Sequence, residues 1–256
     1  MFSAWWRKRK EKRKRDRTLP EHLNVPWTVR DLVVFVAAWF GIQVVVMLAL
    51  SLLGPVWSPA AHFVDLATKG DIGASFALDL LDAAVGFGLV ALYLRRYRVG
   101  WSAVGWRRVN VVRALAYLGL ILVAFIVLSN IALDLVSVLV PSFNPNQAQQ
   151  NDFVGAAHTH QSLALVALVL LPPVLEETIF RGFLFPALAK KWGPVWGAVV
   201  SSAVFGIAHA QANISIYTFV LGLMLCYMYL KLKSIFPGMA LHMLNNYLAF
   251  IALSGK

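Results

Sequence analysis

Residues 161–189 read QSLALVALVLLPPVLEETIFRGFLFPALA, and their reading decides the fold. Spanning the hydrocarbon of a membrane takes about 20 residues of apolar helix, and this run is long enough. It nevertheless carries two adjacent carboxylates, Glu176 and Glu177, and a guanidinium, Arg181. Ionisable groups at such depth are costly, so they face a bundle interior or a watery cavity and mark function. Pro172 and Pro173 stand just before the glutamates. Proline lacks a backbone donor and crowds the preceding turn, so the pair predicts a break or a strong kink. Glu176 and Glu177 would then occupy the first turn of a helical segment ending near residue 190.

Working outward, comparable apolar runs lie at about 31–53, 75–94, 112–140, 194–210, 213–231 and 235–253. The whole chain has 256 residues, of which 59% are hydrophobic and 14% charged, with a mean hydropathy of +0.69. Such values describe a polytopic membrane protein rather than a soluble domain. The expected fold is all-α: a transmembrane bundle of about seven helices, with an eighth segment allowed around 54–74. No internal repeat suggests a transporter built from two similar halves. Cys226, the only cysteine, falls within an apolar run, which excludes an internal disulfide and reads as a small apolar filler.

The net charge of +11 is unevenly placed, because residues 1–17 hold nine of the 23 basic residues against Glu11 and Asp16. A basic run before a span reads as a cytoplasmic anchor for anionic lipids, not as a nucleic-acid site. With that tail inside and seven spans, inside loops carry Arg95, Arg96, Arg98, Arg107, Arg108, Arg113, Lys190, Lys191, Lys231 and Lys233. Outside loops carry only Lys69, with Lys256 on the same side. The carboxy terminus is therefore expected opposite the amino terminus. This divides the chain into a basic tail (1–30), auxiliary membrane helices (31–140), a polar outer loop (141–160) and a carboxy-terminal core (161–256). The outer loop reads as a solvated connector, and its His158 and His160 are weak metal candidates.

Two more motifs join the glutamates: Phe205-x-x-x-His209 and His242-x-x-x-Asn246, each on its own span. Residues four apart share a helix face, which pairs Glu177 with Arg181, Phe205 with His209, and His242 with Asn246. Glu176 points about 100° away from Glu177, so one carboxylate can be tied to arginine while the other faces a cavity. Counted from the turn near residues 190–194, Glu176 and His209 lie at a common depth of about 21–23 Å. His242 counts as shallower, a gap that tilt or a helix projecting into the cytoplasm must close. Carboxylates, imidazoles, a guanidinium and an amide together suit bond cleavage by an activated water. Asp79, Asp82, Asp134 and Asn130 are further intramembrane polar groups, read as cavity-lining or interhelical.

EETIFRG, FGIAHA and HMLNN, in this order on separate spans, closely resemble the glutamate-type intramembrane endopeptidases. This is the CPBP or Abi family, with its Rce1-type CAAX prenyl proteases and bacteriocin-processing enzymes. The resemblance covers about residues 160–253, and Phe219-Val-Leu-Gly222 is similar to a weaker intervening motif. It implies hydrolysis of membrane-anchored, prenylated or otherwise tethered polypeptides without a cofactor. By this resemblance Glu176 is the general base that activates water, and His209 holds that water and shuttles a proton. His242 and Asn246 would donate to the oxyanion, and Glu177, Arg181 and Phe205 would support them. Two alternatives stay open. Glutamate and two histidines are also a zinc ligand set, although no H-E-x-x-H helix is present and Asn246 is a poor zinc ligand. A non-catalytic scaffold or immunity protein could use the same cavity.

Overall fold

The computed structural model describes residues 19–147 and 161–254. The basic run of the tail, His158 and His160 with most of the outer loop, and Lys256 lie outside the described residues. Eight helices organise the rest: α1 Val29–Leu53, α2 Ser58–Thr68, α3 Ile72–Tyr97, α4 Val111–Leu139, α5 Gln161–Trp192, α6 Pro194–Ile207, α7 Ala212–Leu232 and α8 Phe236–Ser254. Among the described residues there is no strand.

Five helices (α1, α3, α4, α5 and α7) are long and apolar enough to cross a membrane. The protein is a multi-pass, all-α membrane protein. Helix α6 is apolar but has only 14 residues, a rise of about 21 Å. Helix α8 has 19 residues, with His242, Asn245 and Asn246 interrupting its apolar surface. The seven expected spans correspond to α1 and α3–α8, and the 54–74 segment contains α2.

The helix ends are set locally. At the start of α1 the Thr28 backbone N–H and hydroxyl both donate to Asp31 Oδ2 at 2.8 Å, a capping arrangement that satisfies otherwise orphaned groups. The Tyr97 hydroxyl joins the same carboxylate at 2.9 Å, which ties the end of α3 to the beginning of α1. Asp71 and Asn110 cap α3 and α4 by accepting from the Ala74 and Arg113 backbone N–H groups.

Burial separates centre from rim. Of the most apolar window in each helix, only 17% of α1 and 11% of α4 is buried, against 50% of α5 and 44% of α7. Val33, Val44, Leu48, Leu115, Leu120 and Val138 are correspondingly exposed, as a lipid-facing surface requires when the solvent is itself apolar. Close packing at the centre depends on glycine. A Cβ on Gly222 would stand 2.8 Å from Ser202 Cβ, and one on Gly86 would stand 2.7 Å from Leu175 Cδ1. Gly222 thus lets α7 approach α6, and Gly86 lets α3 approach α5.

Pro172-Pro173 does not break the helix, whose backbone runs through from Gln161 to Trp192. Wider π-helical turns over Leu165–Leu170 and Glu177–Leu184 flank the short α-helical stretch Leu171–Glu176. Shifting the hydrogen-bond pattern to i→i+5 absorbs the missing proline donors without ending the helix. Such π turns are frequent at functional sites.

The segment before α1 folds inward. The Trp27 ring stacks on Phe183 at 4.9 Å, and its Nε1–H donates to the Phe183 carbonyl at 2.9 Å. Lys190 Nζ donates to the Val25 carbonyl. Leu23 and His22 are buried against α7, with His22 edge-on to Tyr229 at 5.2 Å.

Candidate active site

Adjacent in sequence, the two glutamates have opposite surroundings. Glu177 is fully buried and accepts from Arg181 Nη1 at 2.8 Å. The Glu176 side chain is 26% exposed. The i,i+4 relation expected for Glu177 and Arg181 is therefore present. A buried pair of this kind must hold together, since either member alone would leave an uncompensated charge.

Arg181 also lies over the face of Phe205, with its guanidinium carbon 4.3 Å from the ring centroid. The Phe205 ring meets His209 and His242 edge-on at 5.0 and 5.7 Å. This one aromatic ring thus touches three of the polar residues picked out by the motifs. Gly238 permits the approach of α8, as a Cβ there would come within 3.0 Å of Glu177 Oε2.

His242 stands between the carboxylates. Its Nδ1 is 3.3 Å from Glu177 Oε1, and its Nε2 is 3.6 Å from Glu176 Oε2. A carboxylate can only accept, so Nδ1 carries a hydrogen towards Glu177. At 3.6 Å the Glu176 contact is an ion-pair distance rather than a hydrogen bond. His242 therefore reaches the glutamates despite its shorter count from Lys233. The turn before α8 packs inward: Ile235 is buried with its N–H on the Gly105 carbonyl, and Ser234 Oγ donates to the Arg107 carbonyl.

His209 Nδ1 is 2.8 Å from the Phe205 carbonyl. The carbonyl oxygen accepts, which assigns the hydrogen to Nδ1 and leaves Nε2 with its lone pair in the neutral ring. No hydrogen bond or ion pair joins His209 to Glu176 among the described residues. Asn246 donates from Nδ2 to the Leu168 carbonyl at 3.0 Å, which uses one of its two N–H groups.

Other polar groups fall around this centre. Asp82 accepts from Gln43 Nε2 at 2.6 Å and is close enough to Glu176 for their charges to repel. It lies one turn from Gly86, on the α3 face that packs against α5. Asp79 is half-buried one turn further away, whereas Asp134 is exposed and Asn130 bonds its own helix at the Ile126 carbonyl. Gln43, Tyr217 and Asn245 were missed in the sequence. Asn245 sits within HMLNN itself, whereas nothing about Gln43 or Tyr217 marks either one locally.

As possible metal ligands, Glu176 and His242 face each other, but Glu177 is engaged by Arg181. Among the described residues no three His, Cys, Asp or Glu side chains are grouped to hold a metal ion.

Residues 158–248 match the family described as type II CAAX prenyl endopeptidase Rce1-like. This part of the chain is similar to that family. Its match takes in all three motifs and α6, α7 and most of α8. A curated relative, "Putative membrane peptidase YdiL" of Bacillus subtilis (strain 168), is 32% identical over 85 residues. That likeness spans 33% of this chain and 34% of the relative, so about a third of the relative's length is covered. No solved structure matches.

Proposed function

We propose that the protein is a glutamate-type intramembrane endopeptidase that hydrolyses membrane-anchored polypeptides. The observation that carries this reading is the divided environment of the glutamates. Glu177 is neutralised by Arg181, and Glu176 stays partly exposed beside His242. The likeness to Rce1-like endopeptidases and to a membrane peptidase supports the reaction class.

In this mechanism Glu176 accepts a proton from a water while the water oxygen adds to the scissile carbonyl carbon. His209, with Nε2 free, orients that water from the α6 side. The carbonyl π electrons move to oxygen, and His242, through a hydrogen on Nε2 while Nδ1–H is held by Glu177, donates to that oxyanion together with the remaining N–H of Asn246. Such donors act strongly where bulk water is excluded. Collapse of the tetrahedral intermediate breaks the C–N bond, and the proton held by Glu176 passes to the departing amine. Glu177, Arg181 and Phe205 hold His242 and His209 in place. No resident cofactor is required.

The substrate is a polypeptide tethered at the membrane, for which a prenylated CAAX-like peptide is the first trial. The amino terminus is placed in the cytoplasm, where its basic run meets anionic lipid, and the carboxy terminus on the opposite side. The test compares protein termini in membranes of cells carrying wild type or Glu176→Gln at matched expression. New termini that vanish in the variant support proteolysis and identify substrates. Identical termini from two folded proteins favour a non-catalytic scaffold instead. Loss of cleavage with a chelator, restored by zinc, would favour the metal-dependent alternative.

A further inference from the structure

Leu168 has a carbonyl that its own helix cannot satisfy. The donors that would serve it at i+4 and i+5 are Pro172 and Pro173, which have no N–H. The N–H at i+3, on Leu171, is already bonded to the Val166 carbonyl. A carbonyl left unpaired in an apolar surrounding is costly, so a donor from elsewhere in the fold is needed. Asn246 does so from α8 at 3.0 Å.

That bond fixes the direction of a longer chain. A carbonyl only accepts, so Asn246 must turn its nitrogen to Leu168 and its oxygen the other way. The oxygen accepts from Asn245 Nδ2 at 3.3 Å. Asn245 therefore presents its own oxygen outward, and the Tyr217 hydroxyl donates to it at 2.5 Å. Tyr217 is held on α7 by an edge-on contact with Phe125 of α4, their centroids 4.7 Å apart. An asparagine amide is nearly symmetric in shape, and only its partners distinguish one orientation from its 180° flip. Flipping Asn246 would set two oxygens against each other at Leu168 and two nitrogens against each other at Asn245.

We propose that Tyr217 and Asn245 are positioning residues that, with the proline-freed Leu168 carbonyl, lock the orientation of the Asn246 amide. This rests on the reading above in which Asn246 donates its second N–H to the oxyanion. The lock keeps that N–H, rather than the amide oxygen, available one turn from His242. Chains of hydrogen bonds polarise one another, so the donor also gains strength from its neighbours.

The experiment uses full-length protein in detergent micelles and the substrate found by the termini comparison. Tyr217→Phe removes the hydroxyl and keeps the ring against Phe125. We expect kcat to fall on the order of tenfold with KM unchanged, less than the roughly 10²–10³-fold cost of losing an oxyanion donor outright. In an Asn246→Ala background the same substitution should have no further effect, since coupled residues are non-additive. Multiplicative losses, or wild-type kcat in Tyr217→Phe while Glu176→Gln is inactive, would overturn the lock and leave the peptidase reading standing. A second readout needs no activity: asparagine-selective ¹⁵N labelling should show the Asn246 side-chain amide signals moving in Tyr217→Phe. If the wild type shows no Glu176-dependent cleavage, the peptidase reading fails, and unmoved amide signals would separately overturn the lock.

Discussion

Arg181 stacks its guanidinium on the Phe205 ring at 4.3 Å while donating to Glu177 at 2.8 Å. A desolvated cation–π contact is worth about 2 kcal/mol or more. Phe205→Leu should therefore lower the thermal midpoint measured in detergent and also slow cleavage, since the ring borders both histidines. A variant with unchanged midpoint and full activity would show that the ring is merely filler.

Arg181 is the sole ion-pair partner of Glu177 among the described cationic side chains other than His242. Arg181→Met leaves a buried carboxylate exposed to apolar surroundings, and breaking such a pair costs about 3–5 kcal/mol. Adding Glu177→Gln should recover part of that loss. Measured melting curves for the two single variants and the double variant give the coupling directly, and strict additivity would contradict it.

Glu176→Gln should behave differently. The side chain is partly exposed, and its nearest polar contact is at 3.6 Å, so its removal should leave the melting curve within about 0.5 kcal/mol of wild type. Cleavage should fall by about 10²-fold or more, the usual scale for a lost general base. Equal damage to stability and activity would reassign Glu176 to the scaffold.

His22 gives the amino segment a sensitivity to acid. Burial, then the charges of Arg107 and Lys233, lower its pKa from 6.5 to about 4, with the Tyr229 backbone acting weakly the other way. The folded state therefore holds the neutral ring. Because the folded pKa is depressed, this contribution is complete above about pH 6.5 and is lost as pH falls towards 4. Trp27 fluorescence and protease sensitivity of the segment should change across that window. His22→Leu should flatten the response, and an unchanged profile in that variant would locate the titration elsewhere.

Much of the site was legible because helical spacing is local. Glu177 and Arg181 pair through one turn of one helix, and no knowledge of packing is needed to expect it. The different surroundings of Glu176 and Glu177 follow from the same geometry. How His242 reaches the glutamates was not legible, because it depends on how residues 233–235 tuck beneath the 99–110 linker, which is a long-range contact. The outcome at the prolines was hidden for a related reason. They do remove donors, but π turns and the Asn246 side chain compensate, and the compensating residue lies 78 positions away. Tyr217 and Asn245 form their link across α7 and α8, where no short motif announces it.

The docking of Trp27 on Phe183 sets an order of assembly. Their contact joins residues 156 positions apart, so when α1 leaves the ribosome its amino-terminal anchor has nothing to grip. The segment before α1 must wait, even once α1 has paired with α3, until α5 has been synthesised and inserted. A nascent chain stalled before residue 183 should therefore leave Trp27 open to protease, and one stalled well beyond α5 should protect it. The first segment made is thus among the last to be fastened.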